Sequence, residues 1–173
     1  MIEYEAKFRV KDVNRVKERL ARLGERLGVR IEEDTYYEHP CRSFKERDEA
    51  LRVREGAKAE VTYKGPRFPG RLKAREEITL RVSDAKRAKE LLERLGFRRV
   101  AVVKKVREVY RVGPFEVTLD SVEGLGDFVE IELKEGASSL EEAEEKVLAL
   151  ARELGIEEEP IKQTYLELVL GEQ

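Results

Sequence analysis

Cysteine and histidine are scarce in this sequence of 173 residues, which contains only Cys41 and His39. A single cysteine excludes an internal disulfide and is typical of a reducing, cytoplasmic compartment. Any Ser–His–Asp catalytic set would have to use His39, which lies next to Pro40 in a stretch rich in turn-forming residues. One His–Cys pair without another does not predict a zinc site. No glycine-rich phosphate loop of the Walker type occurs. The sequence therefore gives little support for a Ser–His–Asp hydrolase, a zinc site or a P-loop nucleotide-binding protein.

Long apolar runs and an excess of one charge are also missing. No apolar run approaches the roughly 18 residues of a membrane-spanning helix, and the first residues lack the layout of a signal peptide. Lys and Arg number 35 and Asp and Glu 37, a net charge of -2, which argues against nucleic acid or a membrane as partner. Asparagine occurs once and glutamine twice, a composition common in hyperthermophile proteins. We predict one cytoplasmic domain over residues 1–173, a length that suits a single core.

What the sequence has in abundance is charge, since 42% of its residues are Asp, Glu, Lys or Arg. Eight segments are predicted to be β-strands, and in most of them charged and apolar residues alternate with a period of two; the alternation is poor in 99–110. The predicted strands are 2–10, 34–38, 50–55, 60–65, 72–82, 99–110, 115–120 and 129–133.

Apolar residues at helical spacing predict helices between some of these strands. The predicted helices start at Asp12, at Ser83 or Asp84, at Ser139 and after Pro160, and the first ends at Gly24 or Gly28. Each starting residue other than proline is a good N-cap, and glycine is a common stop. This order of elements indicates an α+β fold.

The polar face of the predicted strands has an unusual charge pattern. Arg52 and Arg54 are neighbours of the same sign on one face, and so are Glu130 and Glu132. Same-sign neighbours repel, so stability alone gives little reason for them, whereas a ligand of opposite charge would supply one. A sheet covered outside by helices can curl until its charged face becomes a lining. For any single strand, a polar face in solvent is the commoner explanation.

A lining of both signs suits a phosphate chain with its metal ion, because Arg and Lys bind phosphate oxygens and carboxylates hold Mg²⁺ or Mn²⁺. A hyperthermophile ion-pair network without a ligand explains the same pattern equally well. The basic candidates are Lys7, Arg52, Arg54, Lys64, Arg75, Lys105 and Arg107. The acidic candidates are Glu3, Glu5, Glu77, Asp120, Glu130 and Glu132.

Short motifs follow one another in a fixed order along the chain. They are Glu3-x-Glu5-x-Lys7, Asp34-Thr35-Tyr36-Tyr37, Arg52-x-Arg54, Thr62-x-Lys64, Arg75-x-Glu77, Lys105-x-Arg107, Leu119-Asp120, Phe128-Val129-Glu130-Ile131-Glu132 and Tyr165-Leu166-x-Leu168. Over nearly the whole chain this set resembles the CYTH superfamily, also called triphosphate tunnel metalloenzymes. The resemblance implies an eight-stranded, closed antiparallel β-tunnel with a charged lumen and helices packed outside.

The resemblance also implies roles for the charged residues. The expected ligands of Mg²⁺ or Mn²⁺ are Glu3, Glu5, Asp120, Glu130 and Glu132. The cations expected to clamp a triphosphate are Lys7, Arg52, Arg54, Lys64, Arg75, Lys105 and Arg107. Glu77 and Tyr36 are expected beside the substrate, although packing is the commoner role for a tyrosine such as Tyr36. The resemblance leaves the oligomeric state open, with a homodimer among the alternatives because members of this family often dimerise. No general base stands out.

The family includes class IV adenylate cyclases, thiamine triphosphatases and inorganic triphosphatases. The first hypothesis is therefore a metal-dependent enzyme that converts ATP to cyclic AMP and pyrophosphate, or else hydrolyses thiamine triphosphate, inorganic tripolyphosphate or nucleotides. A cyclase would place a ribose oxygen at the α-phosphorus, and a triphosphatase would place water at the terminal one. A polyphosphate-binding module without turnover and a structural barrel filled with ion pairs are the alternatives. Carboxylates from both ends of the chain favour an enzyme, since anion binding alone needs few of them.

Overall fold

The fold is an eight-stranded antiparallel barrel with five helices outside it, and the computed structural model describes residues 1–171. The strands are β1 (Ile2–Arg9), β2 (Glu25–Glu38), β3 (Ala50–Glu55), β4 (Glu60–Lys64), β5 (Lys73–Arg81), β6 (Arg98–Val112), β7 (Phe115–Val122) and β8 (Gly126–Leu133). The helices are α1 (Val13–Leu23), α2 (Phe44–Arg47), α3 (Ala85–Arg94), α4 (Leu140–Glu153) and α5 (Tyr165–Val169). Strands pair in the order β1–β5–β4–β3–β2–β6–β7–β8, and β8 pairs with β1 to close the ring. The predicted fold class is confirmed.

The apolar face of the strands points outward, where helices cover much of it. Ala6, Val117 and Ile131 belong to a core that includes the inner faces of α1 and α4. Val53 packs against Ala88 of α3 in a separate cluster. Since successive side chains of a strand point to opposite faces, covering the apolar side leaves the charged side inside the barrel.

Local signals fix the starts of the helices as the sequence predicts. The Asp12 carboxylate accepts a hydrogen bond from the Arg15 backbone N–H at 3.1 Å, and α1 follows. Asp84 caps α3 and Ser139 caps α4 in the same way. Helix α2, preceded by Ser43, is a short helix between β2 and β3 that is not among the predicted helices.

The first half of β2 differs from the prediction, which allowed a helix as far as Gly28 and a strand only at 34–38. Helix α1 ends at Leu23. At Gly24 the chain passes so close to β6 that an added Cβ would lie 2.4 Å from the Arg111 carbonyl oxygen. The chain is then extended, and β2 pairs with β6 from Glu25 to Glu38. Pairing with a distant strand therefore overrides the local helical spacing.

Helix α5 lies across one end of the barrel. The Tyr165 hydroxyl donates a hydrogen bond to the inward-facing Asp120 carboxylate at 2.6 Å. The Tyr165 ring lies 3.3 Å from Lys7 Nζ, which also faces inward. Just before the helix, the Ile161 backbone N–H donates to the Lys7 carbonyl at 2.8 Å. This segment continues the wall beside β1 where β5 no longer pairs with it, since that pairing ends at Glu5.

Within residues 1–171 there is no helix whose length and apolar character would let it cross a membrane.

Replacement of Leu20 by alanine is expected to destabilise the protein by about 2–5 kcal/mol, because its side chain is 0% exposed between α1 and the barrel and its loss leaves a cavity. Leu23, on the same helix and 45% exposed, is the matched control, for which Leu23→Ala should cost less than about 1 kcal/mol. Denaturant unfolding of both variants measures the difference. Equal losses would contradict this packing of α1.

Candidate active site

The strand register brings the predicted site residues to one face, the lumen of the barrel. Across β1 and β8, Glu5 lies opposite Glu132 and Lys7 opposite Glu130. Glu3 lies opposite Arg75 on β5. Directly opposed residues share a face, and the remaining pairings extend this face around the ring. The inward-facing residues include all those proposed from sequence: Glu3, Glu5, Lys7, Tyr36, Arg52, Arg54, Lys64, Arg75, Glu77, Lys105, Arg107, Asp120, Glu130 and Glu132.

Asp34, on β2, is the most enclosed carboxylate of the lumen, with 0% exposure. It accepts two hydrogen bonds from Arg54, at 2.7 and 2.8 Å, and one from Lys105 at 2.5 Å. Burial opposes its ionisation, but the Arg54 hydrogen bonds and the surrounding positive charges hold the pKa of Asp34 well below its usual range. Asp34 is therefore an anion that fixes cations of β3 and β6.

A second anchor of this kind is Asp120 on β7. It accepts a bidentate pair from Arg107 at 2.9 and 3.0 Å, in addition to the Tyr165 hydroxyl. Arg107 also lies 3.1 Å from Glu130 and 3.4 Å from Glu32. Both oxygens of Asp120, an expected metal ligand, are thus engaged by protein donors in this arrangement.

The other carboxylates form a cluster centred on β1 and β8. Glu3 pairs with Lys64 at 3.3 Å, and the carboxyl groups of Glu5 and Glu77 lie near enough to influence its ionisation. Burial and the neighbouring Glu130 charge raise the pKa of Glu5 well above its usual value. Burial and the Glu3 charge raise the pKa of Glu132 to about 7. These groups repel one another when ionised and gain from a shared proton or an added cation.

The chemistry of this donor set fits a hard divalent cation, since Mg²⁺ and Mn²⁺ take oxygen ligands. Within residues 1–171, no three His, Cys, Asp or Glu side chains are already spaced to hold a metal ion together. Glu5 and Glu130 lie near enough for the charge of Glu130 to oppose the ionisation of Glu5. A cation bound between them would relieve this repulsion.

The expected phosphate-binding cations fall into two groups by their contacts. Arg54, Lys105 and Arg107 are held by Asp34 and Asp120, as described. Arg75 donates to two backbone carbonyls, Gly65 O at 2.6 Å and Asp48 O at 2.9 Å, so its side chain holds a loop in place.

The second group has looser contacts. Lys7 Nζ lies 3.6 Å from Glu130, and Lys64 Nζ lies 3.3 and 3.6 Å from Glu3 and Glu77. The Nε atom of Arg52 is buried and has no hydrogen-bond partner within the described part of the chain. These cations are the ones available to an anionic ligand.

Sequence reasoning missed Asp34, Glu32 and Lys73 as lumen residues. The alternation contained the signal, because Asp34 and Glu32 precede the proposed Tyr36 by two and four positions, and Lys73 precedes Arg75 by two. Tyr36, expected beside the substrate, packs in an apolar cluster with Tyr165 at the end covered by α5.

A closed antiparallel barrel with a charged lumen is the fold expected for the CYTH family. The CYTH domain family matches residues 1–165 of this chain. The chain belongs to this family, whose members bind triphosphates and depend in general on divalent metal ions.

Individual relatives cover nearly the whole chain. It is 37% identical to a candidate adenylate cyclase of Methanocaldococcus jannaschii, over 97% of this chain and 98% of that protein. It is 31% identical to adenylate cyclase CyaB of Aeromonas hydrophila, over 89% and 81% of the two chains. A solved structure from Pyrococcus horikoshii is 41% identical, with a TM-score of 0.90 and 98% of each chain covered. A Hippeastrum protein described as having a dominant triphosphatase activity shares the fold, with 20% identity and a TM-score of 0.73 over 99% of this chain and 97% of that one.

Replacement of Asp34 by asparagine is expected to lower the free energy of unfolding by about 3–5 kcal/mol at pH 7, because Lys105 would be left buried without its anion and Arg54 would keep only Glu32, at 3.4 Å. The folded-state pKa of Asp34 is depressed, so its stabilisation is present above the ordinary carboxyl pKa of about 3.9 and is lost as the pH falls below it. The gap between wild type and Asp34→Asn should therefore shrink from about pH 4 downward.

Denaturant unfolding over a pH series measures this gap. Glu33→Gln is the matched control, since Glu33 lies on the outer face of the same strand, and it should change stability by less than about 0.5 kcal/mol. A gap between wild type and Asp34→Asn that stays constant down to pH 3 would contradict the ionised, ion-paired state of Asp34.

Proposed function

We propose that this chain is a divalent-metal-dependent enzyme that acts on a triphosphate inside the barrel. The observation that supports this best is the imbalance of charge within the lumen. The Nε atom of Arg52 is buried and has no hydrogen-bond partner among residues 1–171, while carboxylates crowd together around Glu5. A buried donor without an acceptor and a group of crowded carboxylates in one enclosed volume favour a ligand that brings both an anion and a cation.

In this proposal Glu3, Glu5, Glu130 and Glu132 hold the Mg²⁺ or Mn²⁺ ion, and Asp120 joins them only by releasing Arg107 or Tyr165. The bound ion would neutralise negative charge on the phosphate oxygens. The protein's own cations do the rest: Arg52, Lys64 and Lys7 bind and orient the phosphate chain, and Arg54, Lys105, Arg107 and Arg75 complete the positive wall behind them. Phosphoryl transfer gains most of its rate from positioning and from such fixed charges.

Cyclisation of ATP is the first candidate reaction, and the names of two relatives at 37% and 31% identity support it. Hydrolysis of a triphosphate is the second, and a feature of the lumen favours it. The inward-facing aromatic and apolar residues Tyr36, Val103 and Phe128 pack against Tyr165 under α5. They are therefore not free to stack on an adenine, whereas a phosphate chain needs no such surface.

A homodimer in the cytoplasm stays part of the proposal. Val29, Ile31 and Val106 are exposed on the outer face of β2 and β6. A second copy would find an apolar surface there.

Incubation with ATP, thiamine triphosphate or tripolyphosphate and Mg²⁺ or Mn²⁺, with products resolved, tests the reaction. We expect turnover of at least one substrate. Cyclic AMP with pyrophosphate would select the cyclase, and inorganic phosphate would select the triphosphatase. Binding without any product would contradict the enzyme and leave a binding module.

Replacement of Glu5 by glutamine is expected to lower turnover by about 100-fold or more, because the metal site loses a charged ligand at its centre. The increase in melting temperature produced by Mn²⁺, measured without substrate, should shrink in parallel. Glu76→Gln is the control, since Glu76 is exposed on the outer face of the neighbouring β5. If Glu5→Gln keeps both the turnover and the Mn²⁺ effect, Glu5 is not a metal ligand.

A further inference from the structure

Lys73 is a lumen residue that forms no ion pair and no hydrogen bond to an oxygen within residues 1–171, although the Glu5 and Glu130 carboxyl groups are near enough to attract its charge. It is the first residue of β5, and the register places it opposite Glu5 of β1. Its side chain therefore points to the same face as Arg75, two positions later. Lys73 is only 6% exposed. A lysine is rarely so enclosed unless it is paired.

The contacts of Lys73 differ from those of other buried lumen cations. Arg54 and Lys105 bind Asp34, and Arg107 binds Asp120. Within residues 1–171, Lys73 makes no hydrogen bond to a carboxylate or carbonyl oxygen and no ion pair. Its opposite neighbour, Glu5, attracts its charge but forms no ion pair with it, and lies beside the like charge of Glu130.

A second ammonium group lies beside Lys73. Lys7, on β1, is buried, and its Nζ atom lies 3.6 Å from Glu130 and 3.3 Å from the Tyr165 ring. Burial and the nearby charge of Lys73 lower the pKa of Lys7 well below its usual value. Two lysine side chains from adjacent strands thus direct their charges into one small volume near the end that α5 covers.

This arrangement is unfavourable for the protein alone. Two ammonium groups lose hydration on burial and repel each other strongly in a medium of low dielectric constant. A phosphoryl group carries the charge and the acceptor oxygens that both would bind. Glu5 and Glu130 offset only part of this cost, and a cost that the protein leaves in place is typical of a binding site and not of a structural ion-pair network.

We propose that Lys73 and Lys7 together form a binding subsite for one phosphoryl group of the substrate, and that Lys73 is a substrate-binding residue of this protein. The inference rests on the proposed function, because it assigns part of the same lumen to the triphosphate. It adds to the expected phosphate-binding residues one that neither the motifs nor the relatives assign.

Three variants test the subsite: Lys73→Met, which removes the charge and keeps the length; Lys73→Arg, which keeps the charge; and Lys104→Met as the matched control, since Lys104 lies on the outer face of β6. Calorimetric titration with tripolyphosphate and with ATP, in EDTA to prevent metal-dependent turnover, measures binding. We expect Lys73→Met to weaken binding about tenfold or more, Lys73→Arg to retain most of it, and Lys104→Met to match wild type.

The melting temperature of the ligand-free protein separates binding from a structural role. An unpaired buried charge destabilises the fold, so Lys73→Met should melt at the same temperature as wild type or higher. Wild-type affinity in Lys73→Met, or weaker binding together with a lower melting temperature, would overturn the inference and leave the proposed function standing. If wild type binds neither ligand in EDTA or with Mg²⁺, the proposed function fails and the subsite fails with it.

Discussion

The structure depends on the need to neutralise charges that share an enclosed space. Closing the sheet into a ring turns the charged face of all eight strands inward, where an isolated charge costs several kcal/mol. Asp34 and Asp120 neutralise several of these charges, because each accepts hydrogen bonds from cations of neighbouring strands. The same contacts tie β2 to β3 and β6, and β6 to β7. Ion pairing in the lumen and the closed shape of the barrel therefore support each other.

Some charges of the lumen are not fully neutralised by the protein. They form a group of carboxylates and a group of lysines that lie side by side. Negative groups repel one another around Glu5 and Glu132, while Lys7 and Lys73 are adjacent positive groups. Neither group helps the fold. A phosphate chain that carries a metal ion would relieve both at once, with the ion among the carboxylates and the phosphate oxygens among the lysines. The part of the lumen held by Asp34 and Asp120 then acts as a rigid frame, and the part with longer or missing ion pairs acts as the binding site.

Much of the fold could be predicted from the sequence, because alternation is a local signal that survives folding. All eight strands are present, and the proposed residues share the lumen. The first half of β2 was missed because Leu23 and Leu27 continue the helical spacing of α1, and only pairing with β6 decides the matter. The partners of Asp120 could not be predicted, since they depend on register and on where α5 lies. Lys73 could have been included by counting back two residues from Arg75.

The pairing of β1 with β8 has a consequence for how the molecule assembles. β1 is the first strand to leave the ribosome and β8 is the last, so the ring cannot close until the whole barrel has been synthesised. Until then the charges of β1 stay in water, and its apolar side lacks α4, which follows β8 in the chain. Contacts so distant in sequence slow folding. Assembly of the lumen is thus a late, cooperative event, in which burial of the charges and formation of the site happen together.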